Sequence, residues 1–262
     1  MRRFFGLALL SVLAAALPAQ TDKPDAKAAY DALQAEFSAA DKDFRAAMAK
    51  LTETDEWKAA LEAKDRAKLD ALRANVKPVD RVAFMKRAME LAGSYQGDGR
   101  VPFYNWVAMT SSDKDLAIQA VEALRKDHVA SPALVELLER GMMVARVVGA
   151  EKGAEFLQAV IEQNPDSQAK AWAMYWTAMP KTRAKDATPE QREQAQQMLA
   201  EAAKLAAGTI LADRIAAPEF EKNSLQIGKP VPDIEGEDID GVKFKLSDYH
   251  GKVVVLDFWG FW

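Results

Sequence analysis

Asp257 is the one ionisable side chain in the apolar run Val253-Val254-Val255-Leu256-Asp257-Phe258-Trp259-Gly260-Phe261-Trp262. So many β-branched and aromatic residues in sequence read as a buried central strand. A carboxyl group held in such a strand is desolvated, which favours the neutral acid and suits it to proton transfer. Open α/β sheets deliver their chemistry at the carboxyl ends of their strands. Trp259, Gly260, Phe261 and Trp262 occupy that end, which makes them the candidate flank of an active site, with Asp257 as the candidate proton-transfer group. Hydrophobic packing of a strand end accounts for the two tryptophans as well. For Asp257 the plain alternative is a surface carboxylate at the frayed end of an incomplete domain.

The remaining chemistries find less material. There is no cysteine, which removes disulfides, thiolate metal sites and thiol catalysis from the chain as given. His128 and His250 are the two histidines, and neither stands at metal-ligand spacing from carboxylates. No Gly-x-Ser-x-Gly turn presents a serine nucleophile. Gly97-Asp98-Gly99-Arg100, flanked by Tyr95, Phe103, Tyr104 and Trp106, could form a binding lip, but it lacks the preceding strand and the spacing of a phosphate loop. Aromatics packed beneath a loop are the simpler reading. Met142, Met143, Met174 and Met179 read as filling between helices, because the unbranched thioether adapts to irregular gaps. Neither a metal nor a cofactor is expected.

Local signals lead up to the terminal run. Asp240-Gly241 between residues 234–239 and 242–246 is a tight-hairpin signal, since such a turn needs positive φ. Ser247-Asp248 suits the cap of a single helical turn ended by Gly251. Gly251-Lys252 then feeds the apolar run.

These residues also carry a resemblance. Ile227-Gly228, Pro230-x-Pro232-Asp233-Ile234, Asp240-Gly241 and Phe244-Lys245-Leu246-Ser247-Asp248-Tyr249-His250-Gly251-Lys252 match, in order and spacing, the opening of the redoxin branch of the thioredoxin superfamily, the TlpA-like and alkyl hydroperoxide reductase/thiol-specific antioxidant proteins. In that branch Phe-Trp-Ala/Gly-x-Trp leads into Cys-x-x-Cys, and Phe258-Trp259-Gly260-Phe261-Trp262 resembles the approach. Val231 stands where the family often has Ala. The resemblance covers about 35 residues, from about Gln226 onward, and so lacks the rest of the family's sheet, its helices and its cis-proline loop. It implies a thiol-disulfide oxidoreductase or thiol peroxidase acting on a disulfide-bearing protein or a peroxide, with the reactive site expected immediately after Trp262. An acid placed like Asp257 would take a proton from the buried thiol, and Trp259 and Trp262 would shield the disulfide. Selenocysteine also suits that next position, because a selenol is more acidic than a thiol and its codon doubles as a stop. A frameshift, an assembly break or a true loss of the domain are the alternatives.

The rest of the chain reads differently. With 262 residues, 49% of them hydrophobic, it can bury a sizeable core in one or two domains. A net charge of -4 with interspersed signs gives no electrostatic case for nucleic acid. Arg2-Arg3, the apolar residues 4–17 and Pro18-Ala19-Gln20 resemble a signal peptide over residues 1–19, which implies export to the periplasm or cell envelope. Membrane attachment is expected through that segment alone, if it stays uncleaved.

Residues 22–224 are helical in pattern. Ala28, Leu33, Phe37, Phe44, Met48 and Leu51 form one apolar stripe, and Trp57, Leu61, Leu69 and Leu72 suggest a second helix before Pro78. Starts are expected at Ser112 with Asp115, at Ser131-Pro132 and at Thr188-Pro189-x-Gln191, and stops at Gly149, Pro165, Pro180 and Gly208. Asn164-Pro165-Asp166-Ser167 is similar to the junction of tetratricopeptide-like helix pairs, but no second copy follows at about 34 residues. An irregular bundle or solenoid is therefore also open.

The expected fold is a mainly α domain over residues 22–224, followed over residues 226–262 by the first β-strands of an incomplete α/β thioredoxin-like domain. The expected function is an exported redoxin-type oxidoreductase whose redox-active residues are missing from this chain. The alternative is a helical interaction or scaffold module with a degenerate redoxin tail.

Overall fold

A computed structural model describes residues 25–140 and 142–260, without the side chains of 142 and 143. The expected signal peptide, Phe261 and Trp262 lie outside them. The chain divides into two compact units, one up to Phe103 and one from Tyr104 onward.

In the first unit α1 (Ala26–Thr52) starts at Asp25, whose carboxylate accepts from the Ala28 amide at 2.8 Å. α2 (Asp55–Glu62) and α3 (Arg66–Ala74) divide what the apolar spacing suggested was a single helix. Lys64 takes the left-handed conformation, with φ at 54°. The Asp65 amide donates to the Ala60 carbonyl at 2.9 Å and the Lys64 amide to Leu61 at 3.1 Å. Those two bonds make a Schellman stop, which satisfies terminal carbonyls and reverses the chain. Trp57, Ala60 and Leu69 then close a small core of their own, flanked by Leu51 and Leu72.

α4 (Arg81–Gly93) packs on α1. The Phe37 and Phe84 rings meet edge to face at 5.3 Å, and the Arg81 guanidinium lies 5.2 Å over Phe37. Further along, Phe103 is fully buried, edge-on to Tyr30 at 5.3 Å and stacked on Tyr95 at 5.9 Å. Burying such a ring is worth about 1.5–3 kcal/mol. These contacts place Tyr95 and Phe103 in packing, as the simpler reading of the Gly97-Asp98-Gly99-Arg100 loop required. That loop is a 3-10 helix, Gly97–Arg100.

α5 (Val101–Thr110) follows. In the second unit Tyr104 and Trp106 are buried. α6 (Lys114–Asp127) begins one residue later than the Ser112 signal implies. Asp113 is the cap, its carboxylate accepting from Asp115 at 3.0 Å and Leu116 at 3.2 Å. Ser131 caps the 3-10 turn Pro132–Leu134, which continues into α7 (Val135–Leu138). α8 (Met142–Val148) and α9 (Ala150–Gln163) meet on either side of Gly149, whose φ is 92°.

α10 (Ser167–Arg183), α11 (Pro189–Leu205) and α12 (Ile210–Ser224) complete the helices. Pro180 does not stop α10, which runs three residues further. An interior proline costs about 3 kcal/mol, and α10 offsets it by packing against both α9 and α11. Met174 is buried among these helices and Met179 half-buried. The Thr188 capping box forms as its spacing suggests: its hydroxyl accepts from Gln191, and the Gln191 side chain accepts from the Thr188 amide.

Asn164 organises the α9–α10 junction. It is fully buried; its amide donates to the carbonyls of Val129 at 2.8 Å and Ser131 at 2.9 Å, and its oxygen accepts from Asp166 at 2.9 Å. Trp176 donates to the Leu138 carbonyl at 2.6 Å, and Arg214 of α12 lies 5.2 Å over Trp172. Among the described residues no helix is long and apolar enough to cross a membrane.

Candidate functional site

The segment after α12 is built on a hairpin. β1 (Glu235–Glu237) pairs antiparallel with β2 (Lys243–Lys245), in the register Glu235 to Lys245, Gly236 to Phe244 and Glu237 to Lys243. Asp238 holds the turn: its carboxylate accepts from the Asp240 and Val242 amides, each at 2.9 Å. Gly241 supplies the positive φ, 77°, that its pairing with Asp240 called for. Opposite charges sit across the ladder, with Glu235 paired to Lys245 and Glu237 to Lys243. Gly236 leaves room for the Phe244 ring, whose nearest carbon would lie 3.3 Å from a Cβ there.

A 3-10 helix, Leu246–Tyr249, follows. The helical turn is present, but its fastening comes from upstream. Asp233 accepts from the Ser247 amide and the Ser247 hydroxyl, both at 2.8 Å. Asp248 accepts from the Lys245 amide at 2.9 Å. The Ser247 hydroxyl, then the Ser247 amide, hold the Asp233 carboxyl below its ordinary range. His250 meets the Ser247 carbonyl through Nδ1, and Gly251 ends the turn with φ at 80°.

Residues 253–260 do not form a strand. Strands need a ladder partner and a covered face, and among the described residues none is supplied. Val253 and Val255 are 97% and 88% exposed and Val254 and Leu256 42% and 47%, but Phe258, on the same parity as Val254 and Leu256, is 84% exposed. Val254 and Leu256 face an open groove of about 600 Å³ shared with Pro230, Val231, Leu246 and Tyr249.

Asp257 is exposed, so the desolvation expected of it inside a buried strand is absent. Trp259 is 73% exposed and Gly260 half-buried. Phe261 and Trp262 lie outside the described residues. Among the described residues no three His, Cys, Asp or Glu side chains gather as a metal site. The fastening residues Asp233 and Asp238 were missed by the sequence reading. For Asp238 the signal was an Asp placed before a turn, where its short carboxylate reaches nearby amides; Asp233 had no local signal, because its partner Ser247 lies fourteen positions on.

Comparison with known proteins gives a local similarity. Over 42 residues the chain is 43% identical to the thiol-disulfide oxidoreductase ResA of Geobacillus thermodenitrificans. It is 45% identical over the same length to proteins of that name from Bacillus thuringiensis and Geobacillus kaustophilus. Each match takes in 16% of this chain, so the chain spans about a quarter, 24%, of the length of these relatives. This similarity supports a thioredoxin-like superfamily relation. It does not reach the narrower redoxin or TlpA-like branch. No family model matches the chain, and no solved structure does.

Proposed function

We propose that residues 226–262 are the opening segment of a thioredoxin-like domain and that the protein serves thiol-disulfide exchange, or peroxide reduction, outside the cytoplasm. The observation that carries the reading is the 43–45% identity to thiol-disulfide oxidoreductases over 42 residues. The physical support is independent of it. A hairpin and a fastened 3-10 turn lead into a continuous apolar run, the pattern of a strand that neighbours cover on both faces.

The chemistry of such a domain is attack of a thiolate on a disulfide or peroxide sulfur or oxygen, followed by resolution through a second thiol. This chain has no cysteine, so it contributes the approach to the site and not the dithiol. Asp257 would gain its role as a proton acceptor once the rest of the domain covers the run. Disulfide-bearing proteins or peroxides are the substrates in this reading. The helical residues 22–224 would orient the domain or receive its partner. Export rests on the N-terminal pattern of Arg2-Arg3 and the apolar stretch behind it.

The test is a fusion in which Trp262 is followed by the stretch of the Geobacillus thermodenitrificans relative that follows its matched residues. The fusion is expected to reduce insulin disulfides, and the 262-residue chain to stay at background. A folded but inactive fusion would favour the scaffold reading instead.

A further inference from the structure

α12 ends in an unusual fastening. The last four carbonyls of a helix have no partner within it, and in α12 these belong to residues 221–224. Three of the four are engaged by the five residues that follow. The Leu225 amide and the Gln226 side-chain amide both donate to Glu221, at 3.1 Å each. The Lys229 ammonium donates to Asn223 at 2.7 Å and to Lys222 at 3.4 Å. A cation at a helix C-terminus also meets the negative end of the helix dipole.

Lys229 can return to the helix only because the chain reverses just before it. The Lys229 amide donates to the Gln226 carbonyl at 3.0 Å, and Gly228 takes φ of 86°. No heavy atom lies within 4 Å of a Cβ placed on Gly228, so the glycine serves backbone freedom and not close packing. Beyond the reversal Pro230 and Pro232 fix φ on either side of Val231, which makes the next stretch stiff. Asp233 then ties that stretch to Ser247.

We infer that residues 225–229 are a latched hinge: Gly228 is the pivot, Lys229 is the latch on the C-terminal carbonyls of α12, and the Pro230-Val231-Pro232 stretch is the lever that carries the hairpin segment. With the latch closed the hairpin keeps one direction relative to α12. With it open the hairpin turns about Gly228 while both flanking structures stay folded. This concerns the joint and goes beyond the proposed chemistry, because it holds whatever reaction the segment serves.

The chain has no cysteine of its own, so spin labels at Gln194→Cys in α11 and Ile239→Cys at the hairpin tip report the joint directly; both positions are exposed. The parent chain is expected to give a narrow distance distribution. Lys229→Met keeps the apolar stem and removes the charge; it should widen the distribution by about twofold and speed exchange of the Leu225 and Lys229 amides about two- to fivefold. Lys229→Arg should restore both, and α10 and α11 amides should not change. A broad distribution in the parent, or a Lys229→Met variant as narrow and as protected as the parent, would overturn the latch. Since no thiol chemistry is read, failure here and failure of the proposed activity are separate results.

Discussion

Asp233 grips Ser247 at two points, accepting from its amide and from its hydroxyl at 2.8 Å each, across fourteen positions of sequence. The grip joins the strand-entry residues to the 3-10 turn and so fixes the groove that Val254 and Leu256 face. It needs the ionised carboxylate, since a protonated acid loses acceptor capacity. The carboxyl of Asp233 is lowered from its ordinary 3.8, with the Ser247 hydroxyl as the largest cause. A lowered folded value means the contribution is complete above the unfolded value and is lost as pH falls through the folded one. The Ser247 amide shift should therefore hold from neutral pH down to about 4 and move only below that. Asp233→Asn should abolish this titration; a movement below pH 4 that persists in that variant would contradict it.

Asn164 has no solvent to replace its partners. Asn164→Ala leaves the buried Ser131 carbonyl and the half-buried Val129 carbonyl without their donor, at about 2–4 kcal/mol in total. For a helical region of this size that should lower Tm by about 5–10 °C, read by circular dichroism at 222 nm. A change under about 2 °C would show that water reaches the junction.

Gly153 lets α8 and α9 touch. A Cβ there would lie 2.8 Å from the Ala145 Cα, which is backbone and cannot swing aside. Gly153→Ala gains up to about 1 kcal/mol in helix propensity and loses about 1–3 kcal/mol to overpacking. The variant should be less stable in urea despite the better helix former. A stabilised variant would mean that α8 shifts freely.

Local signals were legible where the physics is local. Asp240-Gly241 and Thr188-Pro189-x-Gln191 announce a turn and a cap because backbone φ and side-chain reach are set within four residues. The break at Lys64 was not legible, since a lysine in the left-handed conformation is chosen by the tertiary gain of closing Trp57 onto Leu69. Pro180 misled for a similar reason, as helix packing outweighed a local penalty. The run from Val253 showed its apolar, β-prone character but not its pairing, because ladder partners lie elsewhere in sequence. Asp257 could be singled out by type; whether it is buried in a strand or exposed at the end of an incomplete domain stayed open in the sequence, because burial belongs to the assembled sheet.

Removal of residues 226–262 should leave the helices intact. Among the described residues of that segment, Ile227, Ile239, Val253, Val255, Phe258 and Trp259 are all at least 73% exposed. Calorimetry of the shortened chain should show nearly the same transition temperature, and its solubility should rise, because exposed apolar β-prone runs promote association. Loss of the cooperative transition would show that the tail belongs to the helical core.

The central claim is that the run from Val253 becomes a buried strand when a thioredoxin-like remainder covers it. The most direct measurement is amide hydrogen exchange at residues 253–258, in the 262-residue chain and in its fusion to the remainder of the Geobacillus thermodenitrificans relative. In the chain alone these amides should exchange at close to unprotected rates; in the fusion they should slow by roughly a thousandfold or more, as core strands do. A fusion whose added part is folded and protected while residues 253–258 still exchange freely would contradict the claim.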